Sequence, residues 1–138
     1  MKTHIPRRPV TLVGLALAAL LALGGQAPKA DATPRAEDLR GEWVVDLRPK
    51  PGDPEYLRPF VVSAVDGRTF KGSFYDPRSE IQDARINTDW GAVRFAFTTA
   101  DPNGEYHHSG VLKDSKIEGM TNAIGRKFLS YWSATRKK

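Results

Sequence analysis

His107 and His108 stand side by side and are the residues of this chain best suited to chemistry. Imidazoles ligate transition metals, and a neutral imidazole can take a proton. Chelation by the pair fails on geometry. The flanking residues alternate between apolar and polar, which places the pair on a strand, and strand neighbours point to opposite faces. There is no cysteine, and no third ligand stands at a suggestive spacing, so no metal is expected. Covalent catalysis lacks its parts as well, with no Gly-x-Ser-x-Gly elbow and no thiol nucleophile. Asp83 and Asp89 are the nearest approach to paired carboxylates, but Asp89 reads as a turn residue ahead of Trp90-Gly91. No glycine loop is suited to phosphate. Asn122 has no Ser or Thr two places on, so it is no glycosylation acceptor. No catalytic residue and no cofactor are assigned.

His108 has another use. On its strand it shares a face with Tyr106, Gly110 and Leu112. Thr121 and Ser130 fall on the corresponding faces of the next two strands. Turned inward, Tyr106, His108, Thr121 and Ser130 would orient a small ligand, and Trp43, Phe95, Phe97 and Trp132 would give apolar contact. His107 would then face outward, and the His108 ring would bond to Ser130 or Thr121. The competing expectation is that the aromatics fill the lumen. An eight-stranded barrel is wide enough to be packed solid or to hold one small ligand. A solid barrel would act through its outer surface, as a structural protein of the cell envelope or as a protein inhibitor.

The elements that must position these residues are strands. Residues 41–47, 56–65, 69–75, 81–88, 92–98, 105–113, 116–121 and 128–135 alternate with period two, and turn signals such as Asp66-Gly67 and Asp101-Pro102-Asn103-Gly104 separate them. No stretch after the leader has helical period. The expected fold is all-β, an antiparallel up-and-down barrel of about eight short strands. Ahead of it, residues 33–40 form a linker or a short helical turn capped by Thr33, able to close the barrel beside Trp43. Inward faces include Phe60, Val62 and Ala64, then Phe70, Gly72 and Phe74. Gly72, Gly110 and Gly119 sit mid-strand, where a glycine costs stability unless it permits a bend or an aromatic ring lying over the gap. Outward Val44, Val61, Val111 and Met120 are candidates for contact with a second copy of the chain.

The N-terminus reads differently. Lys2, Arg7 and Arg8 precede a weakly apolar run over residues 10–24, followed by small residues. The run falls short of the ~20 residues of a membrane span. A secretory signal peptide over residues 1–32 is expected, cut after Ala27 or Ala32, with Ala32 preferred because Pro28 would follow the other cut. The protein is therefore expected to be exported, periplasmic or secreted, and not integral to a membrane. The chain carries 21 Lys and Arg against 16 Asp and Glu. The leader holds four of the basic residues and Asp31, which leaves a mature excess of only two. The basic residues are scattered except at Arg136-Lys137-Lys138, so no nucleic-acid partner is expected.

Gly41-Glu42-Trp43 at the start of the first strand resembles the Gly-x-Trp opening of the calycins, which include lipocalins, fatty-acid-binding proteins and avidins. The resemblance implies that Trp43 packs at the closed end against an arginine near the last strand, Arg136 or Arg126. Avidin-like barrels are the most similar in their second and third strands. The biotin ligands do not carry over: the asparagine and serine expected on and after the first strand fall at Val45 and Pro49, and the tyrosine of the third at Phe74. The resemblance thus implies a small-ligand barrel that does not bind biotin in the known way.

Overall fold

A computed structural model describes residues 32–138. Residues 1–31 of the expected leader, with the cut after Ala27, lie outside the described residues. The rest is built from eight antiparallel strands: β1 Gly41–Asp46, β2 Leu57–Asp66, β3 Thr69–Phe74, β4 Gln82–Asn87, β5 Val93–Asp101, β6 Gly104–Lys113, β7 Lys116–Ala123 and β8 Phe128–Arg136. They form one sheet in the order β3-β2-β1-β8-β7-β6-β5-β4. Consecutive strands are paired except β3 and β4, and β1 meets β8, the up-and-down arrangement read from the alternation. The edge strands β3 and β4 are drawn together by scattered bonds: Ile86 N–H to Arg68 O at 2.8 Å, Ile81 N–H to Gly72 O at 3.0 Å, and the Thr69 hydroxyl to Ala84 O at 3.0 Å. The barrel is therefore nearly closed, with one loosely bonded seam.

Period-two burial is clearest in β7, where Ile117, Gly119, Thr121 and Ala123 are buried and the residues between them are exposed. In β2 the pattern slips. A bulge between Val62 and Ala64 shifts the strand's facing, so Val65 packs against the core in place of the expected Ala64. The lead-in helix is a 3-10 turn over Ala36–Leu39, two residues later than expected, and its N-cap is Arg35 instead of Thr33. The reason is an ion pair: Asp38 accepts from both the backbone and the side chain of Arg35. Leu39 of this turn is fully buried, so these residues belong to the barrel floor.

The closed end is held by Trp43 and Arg136, which face one another across β1 and β8. The guanidinium of Arg136 lies 4.0 Å from the indole centroid and also donates to the carbonyls of Asp38 and Arg40. Trp43 Nε1–H donates to Leu39 O at 2.9 Å. Gly41 has φ +130°, and a side chain there would strike the Arg136 guanidinium. Four residues stand in register across the barrel middle: Phe95 on β5, Gly110 on β6, Gly119 on β7 and Trp132 on β8. The two rings fill the space the two glycines leave. Gly72 is needed for another reason, because a Cβ there would lie 1.8 Å from Val61 O.

Candidate functional site

The lower barrel is solid. Trp43, Phe60, Phe97 and Trp132 are fully buried, and Phe60 stacks on Phe97 at 5.6 Å and 17°. The stack continues upward, with Phe97 against His108 at 4.5 Å and 22°, and Tyr106 nearly parallel to His108 at 6.4 Å. Above His108 the filling stops. At the end opposite Arg136 the barrel opens into a cavity of about 650 Å³. Its floor is formed by Phe74, Thr99, His108, Thr121 and Ser130. Leu47, Pro49, Tyr106 and Phe128 make the walls, and Tyr56, Tyr75, Asp101 and Arg126 stand toward the rim.

The structure thus divides the residues expected to meet a ligand. Tyr106, His108, Thr121 and Ser130 line the cavity. Trp43, Phe95, Phe97 and Trp132 lie beneath it, packed on one another and on Phe60 and Phe74, where they support the floor without lining it. His107 faces outward beside Glu105 at 3.2 Å. Asp83 and Asp89 are not brought together; Asp89 instead pairs with Arg68 at 3.3 Å.

A buried hydrogen-bond chain forms the floor. Trp132 Nε1–H donates to Thr121 Oγ1 at 3.0 Å. Thr121 Oγ1 meets His108 Nδ1 at 2.8 Å, and His108 Nε2 meets Thr99 Oγ1 at 2.9 Å. Thr99 was not legible as part of this site. The turn residues from Asp101 onward suggest a strand ending at Thr98, but β5 runs on to Asp101, which pairs with Gly104 around a two-residue turn. Thr99 therefore keeps step with Phe95 and Phe97 and faces inward. Burial, aided by the neighbouring His107, pushes the His108 pKa down to about 3. The imidazole is neutral at physiological pH. A hydroxyl–imidazole–hydroxyl line has the outline of a nucleophilic triad, but a general base works best with a pKa near the working pH. No carboxylate is hydrogen-bonded to His108 among the described residues. The arrangement can hold polar atoms at the base of the cavity.

The rim carries a second cluster. Arg58 lies 4.8 Å from the ring centroids of both Tyr56 and Tyr75, a cation held over two aromatic faces. It donates to the Tyr56 hydroxyl at 3.0 Å, and the two phenols bond to each other. That bond, together with Arg58, makes the Tyr56 phenol more acidic than usual. Tyr75 takes φ +73°, uncommon for a bulky residue, and this backbone turn brings its ring to the cavity mouth. The expected strands 56–65 and 69–75 take in both tyrosines, but β2 starts after Tyr56 and β3 ends before Tyr75, so alternation does not place either ring. Opposite them, Tyr106 Oη–H donates to Asp101 at 2.9 Å.

Among the described residues no group of three metal-ligating side chains converges, and no helix is long and apolar enough to cross a membrane. No family model, curated protein or solved structure matches the chain.

Proposed function

We propose that the chain is an exported, non-catalytic binding module on a calycin-like barrel, holding a small, largely aromatic ligand in the open cup. The observation that carries this reading is the cup itself: about 650 Å³, with aromatic walls and a buried polar floor. Ligand sites have this volume, and they combine apolar walls with a few fixed polar groups. The depressed pKa of His108 argues for holding over catalysis. The Gly41, Trp43 and Arg136 arrangement supports the calycin-like assignment.

Fluorescence of N-phenyl-1-naphthylamine tests the reading. The dye brightens in an apolar cavity, and Ser130→Trp, which fills the cup, abolishes the effect without lowering stability. Equal brightening in both proteins would place the dye elsewhere and contradict the reading.

A second reading, action through the outer surface, has its own observation. Met120, Leu129 and Tyr131 are exposed on the outside of β7 and β8, with Met120 and Tyr131 paired in register. Such a patch suits a protein partner or a second copy. A dimer lost on Met120→Lys/Tyr131→Lys would favour it.

A further inference from the structure

The floor chain has more donors than bonds. Trp132 supplies one N–H, the neutral His108 ring supplies one, and Thr99 and Thr121 supply one O–H each. That makes four donors. The three contacts of the chain use three of them. Among the described residues neither threonine hydroxyl has another hydrogen-bond partner, so one O–H is unspent whichever tautomer His108 adopts. With the proton on Nε2, the ring donates to Thr99, Thr121 donates to Nδ1, and the Thr99 O–H is left. With the proton on Nδ1, Thr121 accepts from both Trp132 and His108 and keeps its own O–H, while Thr99 donates to Nε2. Both threonines are nearly buried, and both line the cup.

From this count we infer that the innermost end of the ligand carries an uncharged hydrogen-bond acceptor, of the kind an aryl ketone or other aromatic carbonyl presents. The inference rests on the cup being a ligand site. A buried donor without a partner is the costly kind of polar group, and a spare lone pair is a smaller loss. An acceptor at the floor is therefore favoured over a donor. An anion is disfavoured because the floor holds no cation: His108 is neutral, and Arg126 stands toward the rim. A carboxylate pushed onto one hydroxyl would lose its hydration without a counter-charge. The walls, with Leu47, Pro49, Tyr106 and Phe128, accept a flat ring standing on its carbonyl end.

Three small probes test this by NMR titration of the mature protein, followed at the Thr99 and Thr121 methyls. Acetophenone presents the acceptor. α-Methylstyrene has the same shape, with C=CH2 in place of C=O, and benzoate carries charge. Acetophenone is expected to move both methyls and to bind about tenfold tighter than either of the others, a difference of about 1.4 kcal/mol. By apolar burial alone α-methylstyrene would bind tighter, so equal or tighter binding by it at the same methyls overturns the acceptor inference and leaves the cup standing. Benzoate binding as well as acetophenone overturns the uncharged requirement. If none of the three moves a cup resonance at its solubility limit, both the inference and the binding-module reading fall.

Discussion

The benzo ring of Trp132 occupies the space that a side chain at Gly119 would need. An added Cβ would lie 2.3 Å from Cζ2 and 2.5 Å from Cε2. Trp132 cannot step aside, because it is fully buried and its Nε1–H is held by Thr121. Gly119→Ala should therefore cost about 1–3 kcal/mol by overpacking, and disturb the floor of the cup as it does so. A thermal melt checks this. An unchanged Tm would mean that the ring is free to move.

Gly72 tests a different contact. Its missing Cβ makes room for the Val61 carbonyl of the adjacent strand, which is backbone and cannot rotate away. Gly72→Val should break the β2–β3 pairing near the bulge and destabilise by more than about 3 kcal/mol, beyond the range of ordinary substitutions. Soluble Gly72→Val protein with a wild-type melt would refute the close-approach argument.

At the closed end, Arg136→Lys keeps the charge but loses the planar fork that reaches Asp38 O and Arg40 O while covering Trp43. The expected loss is about 1–2 kcal/mol in denaturant unfolding, with Arg136→Ala little worse. Full stability in the lysine variant would show that the charge alone suffices.

His108 makes stability depend on pH. Its folded pKa is pushed down to about 3, from an ordinary value of 6.5. Between those values the unfolded chain binds a proton at this ring and the folded chain does not, so stability falls as pH is lowered. From pH 7 to pH 5 the loss should be about 2 kcal/mol. Asp38, Asp46, Asp76 and Asp101 have lowered pKa values and stay ionised across that range. His108→Gln, whose amide can bond to both threonines, should flatten the slope. A slope unchanged by the substitution would assign it to other groups.

Alternation was enough to read the eight strands, their up-and-down order and most of the inward faces, because a sheet with one buried face writes its register into the sequence. It did not show depth along the barrel. Tyr106 and Phe95 both face inward, yet one lines the cup and the other is core. The difference lies in how the strands are staggered around the barrel, which no single strand records. Thr99 was hidden by turn residues that come one step later than they suggest. Val65 was hidden by a bulge that reverses the facing of β2 part-way along. Tyr56 and Tyr75 lie outside the strands and meet only after β2 and β3 have paired.

The central claim is that the cup is occupied by a small molecule in the cell. Native mass spectrometry of the protein, purified from the cells that make it, tests this most directly when set beside the denatured mass. The account predicts added mass of a few hundred daltons or less, the size a cup of this volume admits, that is lost on denaturation and absent from Ser130→Trp. A native mass equal to the bare chain, or added mass that persists in Ser130→Trp, would contradict it and turn attention to the outer face around Met120 and Tyr131.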